Sequence, residues 1–301
     1  MDPLTRRLRR AARGTAASIF RVSSHPLGGG AGISPRSLFP RSGEELRKAV
    51  GGKVVLVTGA SSGIGEAAAR LIGEAGATVL LVARGADALE RIASEIGPDA
   101  HAVPCDLTDL EAIDAMCDRV LAEYGPVDVL VNNAGRSIRR AVALSSERFH
   151  DFERTMQLNY FASIRLILRL LPGIRERRGQ VINVSSAGVQ TRTPRFAGYI
   201  ASKAALEAFS DALQAEVNDE GIRITTISMP LVRTPMISPT EHYESFPSLS
   251  PEEAGALIAG AIVGRPRRVA PPFAHVVSAV DTVSPELMDS VRNRAYRMFE
   301  D

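Results

Sequence analysis

Short apolar runs along this chain alternate with longer stretches whose apolar residues return every three or four positions. The run Val54-Val55-Leu56-Val57 predicts a buried strand, followed by a helix over 63–75. Val79-Leu80-Leu81-Val82 predicts a second strand, with a helix near 86–96. Ala102-Val103 marks a short third strand before a helix near 109–124. A fourth strand lies within 127–132, and one long helix covers much of 147–172. Val181-Ile182-Asn183-Val184 is the fifth strand, 200–217 a helix, and 222–227 the sixth strand. A weak seventh is expected near 268–270. The strand runs are apolar at consecutive positions, as in strands covered on both faces. Strands alternating with helices give a parallel sheet, and right-handed crossovers make it doubly wound.

The flanks follow other rules. Residues 1–50 hold ten Lys or Arg against three Asp or Glu, whereas the rest holds 26 against 31. The basic excess therefore belongs to an N-terminal arm, and the formal net charge of +2 points to no nucleic-acid partner. Within the arm Leu4, Leu8, Ala11, Ala12, Ala16 and Ile19 recur at helical spacing, with arginines on the other faces. Gly14 weakens the pattern, and Gly28-Gly29-Gly30 ends it. Three readings fit: a helix lying in a membrane interface, a solvated disordered arm, or a targeting segment. The chain thus divides into a basic arm (1–50), an α/β domain (51–270) and a C-terminal helical extension (271–301).

Two cysteines, Cys105 and Cys117, are too few for a disulfide framework and lack metal-ligand spacing. They fit a reduced, cytoplasmic protein with packed thiols and no metal. No apolar run is long enough to span a membrane, so any membrane contact would be peripheral, through the arm.

The candidate chemistry sits at strand ends. Thr58-Gly59-Ala60-Ser61-Ser62-Gly63-Ile64-Gly65 lies between the first strand and its helix. Glycines there let the backbone approach a pyrophosphate, and the free N–H groups of the helix start receive its charge. The second strand ends in Ala83-Arg84 with no carboxylate to bind a ribose diol. Arg84 can instead grip a 2′-phosphate, which favours NADP(H) over NAD(H). Tyr199 and Lys203 stand at i and i+4, on one helix face. A neighbouring ammonium stabilises phenolate, so the phenol becomes a usable proton donor and acceptor for a carbonyl–alcohol pair.

These motifs resemble the short-chain dehydrogenase/reductase family. The glycine spacing G-x-x-x-G-x-G, Tyr199-Ile200-Ala201-Ser202-Lys203, Ser186 thirteen residues before Tyr199, and Asn159 all match it. The likeness covers about residues 52–235. It implies a Rossmann-type sheet in the order 3-2-1-4-5-6-7 and a catalytic set of Asn159, Ser186, Tyr199 and Lys203. Ser186 would hold the substrate oxygen, Lys203 would also bond the nicotinamide ribose, and Asn159 would help link Lys203 to solvent through a water. Thr58, Gly59, Ser61, Ser62, Gly63, Ile64, Gly65 and Arg84 would line the cofactor. So would Asp106-Leu107 after the third strand and Asn133-Ala134-Gly135 after the fourth. Pro230, Val232 and Thr234 follow the sixth strand and complete the set. One departure stands out: Leu231 replaces the family's usual Gly after Pro230, which puts the local backbone angle in question.

Longer stretches narrow the resemblance. NNAGRSIRRAV from Asn132, RFHDFERTMQLNYF from Arg148 and MPLVRTPMISPT from Met229 are similar to bacterial, including actinobacterial, fatty acyl-CoA reductases. That likeness implies NADPH-dependent reduction of long-chain acyl-CoA to aldehyde, and a homo-oligomer. Arg136, Arg139 and Arg140 would then either pair with CoA phosphates or face solvent and helix carboxylates. The loop 236–249, with Tyr243, Phe246 and Leu249, would cover an acyl chain or simply pack. Two other functions stay open: a dehydrogenase of another apolar alcohol, ketone or aldehyde, and a non-catalytic nucleotide-binding regulator.

Overall fold

The structure is a computed structural model that describes residues 2–13, 39–40, 42–236 and 246–298. Seven parallel strands form one sheet in the order β3-β2-β1-β4-β5-β6-β7, as expected. They are β1 (Val54–Thr58), β2 (Thr78–Ala83), β3 (Ala100–Pro104), β4 (Val129–Asn132), β5 (Gln180–Ser186), β6 (Arg223–Met229) and β7 (Arg268–Val269). The described helices are α1 (Pro3–Arg13), α2 (Gly43–Val50), α3 (Gly63–Glu74), α4 (Ala86–Ile96), α5 (Leu110–Tyr124), α6 (Phe149–Met156) and α7 (Ala162–Glu176). They continue with α8 (Gly188–Thr191), α9 (Ala197–Glu216), α10 (Pro251–Gly264), α11 (Pro272–Val283) and α12 (Pro285–Met298).

The consecutive apolar runs divide between two cores because successive side chains point to opposite faces. Val55 and Val57 join α3, α4 and α10 on one side, while Leu56 joins α5, α7 and the end of α9 on the other. Helix α10 is buried over nearly its whole length and starts on a capping box formed by Ser250 and Glu253. A Cβ on its Gly255 would lie 2.8 Å from the backbone of Ala67, so α10 and α3 meet almost backbone to backbone.

The first helix corrects the lipid-surface reading of its apolar face. Leu4, Leu8 and Ala11 are buried, and α1 packs on α10 and α2. The hydroxyl of Thr5 accepts the Gly43 amide at 2.8 Å, and Arg7 pairs with Glu74. These three residues of the apolar stripe close the protein's own core and so are not offered to lipid. Ala16, Ile19 and Gly28-Gly29-Gly30 lie outside the described residues. Among those described, no helix is long and apolar enough to cross a membrane.

The long helix expected over 147–172 is interrupted. Between α6 and α7 lies one π-helical turn, Gln157–Phe161, centred on Asn159. Such a turn inserts a residue into the helical ladder and frequently marks a functional position. No residue type announces it in the sequence.

Candidate active site

The β1–α3 turn is a cradle that side chains would fill. Gly59 and Gly63 hold φ of 67° and 58°. A Cβ on Gly65 would lie 2.2 Å from the Gly59 carbonyl oxygen and 2.7 Å from Asn133 Nδ2. Ser62 occupies the N-cap of α3 without a side-chain hydrogen bond, so no side chain there competes for the first amides. Ser61 stands within the turn, and Ile64 packs on the first core. An anionic pyrophosphate fits these features: close backbone approach, free amides and the positive end of a 12-residue helix.

The residues after β4 lock this turn. Thr58 Oγ1 accepts the amides of Asn133 at 2.9 Å and Ala134 at 3.0 Å. The Asn133 side chain donates back to the Thr58 carbonyl at 3.0 Å. From the other side Thr234 meets Gly63, where an added Cβ would lie 3.1 Å from its Cγ2. The backbone question at Leu231 resolves here. Positive φ among described non-glycine residues occurs only at Arg178, Arg192, Arg195 and Arg265. Leu231 therefore needs no glycine, and its carbonyl accepts the Leu249 amide at 2.8 Å. Val232 bridges Leu249, which ties the segment after Pro230 to the start of α10.

At the end of β2, Arg84 is exposed and has no ion-pair partner among the described residues. Asp106 accepts Thr108 N–H at 3.0 Å and its hydroxyl at 2.9 Å. The Thr108 amide, more than the nearby Arg84 and Arg136 charges, holds this carboxyl below its usual range. Leu107 is buried beside it.

Around Gly135 the structure brings Asn159 and Lys203 together. A Cβ on Gly135 would lie 3.3 Å from Asn159 Oδ1 and 3.5 Å from Lys203 Nζ. Asn159 is fully buried. Its Oδ1 accepts the Arg136 amide at 2.7 Å, and its Nδ2 donates to the Arg136 carbonyl and to Ser202 Oγ, both at 2.9 Å. The π-turn thus aims a side-chain amide at the backbone that follows β4. Lys203 is buried, and its ammonium donates to the Val184 carbonyl at 2.8 Å. Burial pushes its pKa down to about 8, and Glu207 opposes the shift. Ser186 ends β5, where its Oγ accepts the Gly188 amide at 3.1 Å. Tyr199 lies in the first turn of α9, one turn before Lys203, with the Phe196 ring edge-on at 6.5 Å.

Glu207 has no motif to mark it in the sequence, although i+4 spacing from Lys203 places it on the same helix face. It is buried and accepts Ser185 Oγ at 2.6 Å, Gln190 Nε2 at 3.3 Å and Arg268 Nη1 at 3.0 Å. The network fixes the strand residue beside Ser186 to the lysine-bearing helix. Of the three arginines after β4, Arg140 takes the helix-carboxylate alternative, pairing with Asp151 of α6 at 3.2 Å. Leu249 is buried, Phe246 is exposed, and Tyr243 lies outside the described residues. Both cysteines are buried, which pushes their thiols up to about 11 at Cys105 and about 12 at Cys117. Neither is a nucleophile near neutral pH.

The chain as a whole is similar to known proteins. A family profile described as short chain dehydrogenase matches residues 53–245. An uncharacterized oxidoreductase of Mycobacterium tuberculosis is 56% identical over 266 residues, covering 86% of this chain and 78% of that protein. A fatty acyl-CoA reductase of Acinetobacter baylyi is 52% identical over 258 residues, covering 84% and 88% respectively. A 3-ketoacyl-(acyl-carrier-protein) reductase of Brucella melitensis, solved in complex with NADH, is similar with a TM-score of 0.68 and 28% identity. That likeness covers 73% of this chain and 96% of the other.

Proposed function

Because the chain belongs to the short-chain dehydrogenase family, we propose that it is an NADPH-dependent reductase of long-chain fatty acyl-CoA thioesters. The observation that carries the reading is the buried Lys203 beside Asn159 and Gly135, one helical turn from Tyr199. The choice of acyl-CoA draws on the resemblance across 132–161 and 229–240 and on the relative that carries that activity in its name.

In this reading the β1–α3 cradle holds the pyrophosphate of the dinucleotide. Asp106 and Leu107 border its adenine side, and Asn133 to Gly135, Pro230, Val232 and Thr234 border the nicotinamide half. When bound, NADPH supplies the hydride. Tyr199 gives its phenolic proton to the carbonyl oxygen, and the Ser186 hydroxyl donates a hydrogen bond to the same oxygen. The Lys203 ammonium, one helical turn on, would stabilise the negative charge that develops on the Tyr199 oxygen as its proton leaves. Asn159 holds the Arg136 backbone and Ser202 around that lysine. Collapse of the hemithioacetal then breaks the carbon–sulfur bond and releases the thiol. The balanced reaction is acyl-CoA, NADPH and a proton giving aldehyde, CoA and NADP+. Arg136 is the residue offered to the CoA phosphates.

Palmitoyl-CoA should therefore oxidise NADPH and release free CoA thiol in equal amounts during the first reduction. The specificity constant should rise from acetyl-CoA upward by about fourfold per buried methylene, the equivalent of ~0.8 kcal/mol, until the acyl chain outgrows its site. NADPH oxidation with ketones or simple aldehydes, and no thiol from any acyl-CoA, would move the assignment to another apolar carbonyl.

The cofactor preference has its own test. Arg84→Ala should raise KM for NADPH by about tenfold to a hundredfold, the range of one lost charge-assisted contact, and barely alter KM for NADH. Equal effects on the two cofactors would mean that Arg84 does not read the phosphate.

A further inference from the structure

The segment joining β5 to α9 follows Ser186 and ends at Phe196, three residues before Tyr199. Two of its residues, Arg192 and Arg195, hold left-handed backbone angles, with φ of 51° and 70°. Neither is a glycine, so both conformations are strained and persist only where the surroundings impose them. The C-terminal helices hold both side chains. Asp281 on α11 is buried and pairs with Arg192. Arg292 on α12 pairs with the same carboxylate at 2.6 Å and donates its Nε–H to the Thr191 carbonyl at 3.1 Å. The Arg195 guanidinium lies over the Tyr296 ring of α12, 4.8 Å from its centroid. On the other side of the segment, the Arg140 amide donates to the Arg195 carbonyl at 2.7 Å.

We propose that α11 and α12 clamp this segment, with Asp281 as the positioning residue that sets Ser186 and Tyr199 for carbonyl reduction. The proposal rests on the roles given to those two residues above. Its physical basis is the way the two ends of the segment are held. Helix α9 has no side-chain cap, so its first turn, which carries Tyr199, depends on the residues before it. At the opposite end, Ser186 Oγ is tied to the Gly188 amide, at the start of α8. The buried carboxylate is shared by the largely buried Arg292 and the exposed Arg192, and losing its charge leaves the two cations facing each other. The clamp also fixes a wall of an open cleft of about 560 Å³ bounded by Val142, Pro194, Ile200 and Tyr296.

The test is Asp281→Asn, which keeps the shape and removes the charge. Hydrogen–deuterium exchange over 188–196 should quicken, NADPH affinity should hold, and kcat should fall by about tenfold to a hundredfold. A variant with unchanged exchange, or with faster exchange and undiminished kcat, would overturn the clamp. If the wild-type protein reduces no carbonyl at all, the catalytic reading fails, and exchange over 188–196 still decides whether α11 and α12 hold the segment. Should Asp281→Asn not fold, Tyr296→Leu removes the ring from Arg195 without leaving a buried charge. It is read by the same two measurements, with smaller shifts in the same directions and the same overturning result.

Discussion

Tyr199→Phe is expected to lower kcat by about 10²–10⁴-fold, the usual contribution of a positioned general acid, while NADPH binding stays nearly intact. The substitution removes one oxygen and keeps the ring. Contact with the edge of Phe196 therefore survives. Ser202 Oγ donates to the backbone carbonyl of Tyr199 at 2.7 Å, so that bond survives as well. Lys203 is anchored on the Val184 carbonyl, and Asn159 on the Arg136 backbone, neither through the phenol. The cofactor side should thus see little change, and the loss should fall on proton transfer. Steady-state kinetics paired with NADPH fluorescence titration separates the two. Full activity in the variant would remove Tyr199 from the mechanism, and equal losses in binding and turnover would make its role structural.

Gly65→Ala should be the most damaging small change in the proposed cofactor cradle. The new methyl would sit 2.2 Å from the Gly59 carbonyl oxygen and 2.7 Å from Asn133 Nδ2. The first is backbone, and the second already donates to Thr58 and Gly59. Helix α3 must move outward, carrying its first amides away from the place where an anion would lie. Overpacking of this kind costs about 1–3 kcal/mol, which corresponds to roughly 5- to 150-fold in NADPH affinity if it falls on the bound geometry. Isothermal titration measures the affinity, and a thermal melt monitors the fold. Gly76→Ala is the control, because Gly76 also has positive φ (86°) but meets nothing within 4 Å. It should lose some stability and keep its affinity. An unchanged affinity in Gly65→Ala would show that the dinucleotide does not need this approach.

The sheet was legible because its signals are local. Runs such as Val79-Leu80-Leu81-Val82 need cover on two faces, and strand–helix alternation with right-handed crossovers leaves few topologies. The glycine turn was legible for a related reason, since positive φ and close backbone approach restrict the residue type at Gly59, Gly63 and Gly65. The i, i+4 relation of Tyr199 and Lys203 is fixed by helix geometry alone. Other features depended on what arrived from far along the chain. The apolar stripe Leu4, Leu8 and Ala11 has the same periodicity whether it faces lipid or protein, and only the presence of α10 and α2 decided between them. Arg140 could equally have faced a ligand phosphate, and the position of Asp151 settled its partner.

By itself, then, the sequence determined the parallel sheet, the glycine turn between β1 and α3, and the spacing of the Asn159, Ser186, Tyr199 and Lys203 set. In each case one stretch of backbone geometry admits few residue types. Tertiary structure alone decided the π-turn that aims Asn159 at the Arg136 backbone, because both helical registers suit the same residues. It alone buried Lys203 far enough to bring its pKa down to about 8, since desolvation depends on everything packed around the ammonium. It also joined Asp281 to Arg192 and Arg292. Electrostatic partners are chosen by distance in space, and a carboxylate 89 positions beyond Arg192 in the chain carries no local sign of the contact.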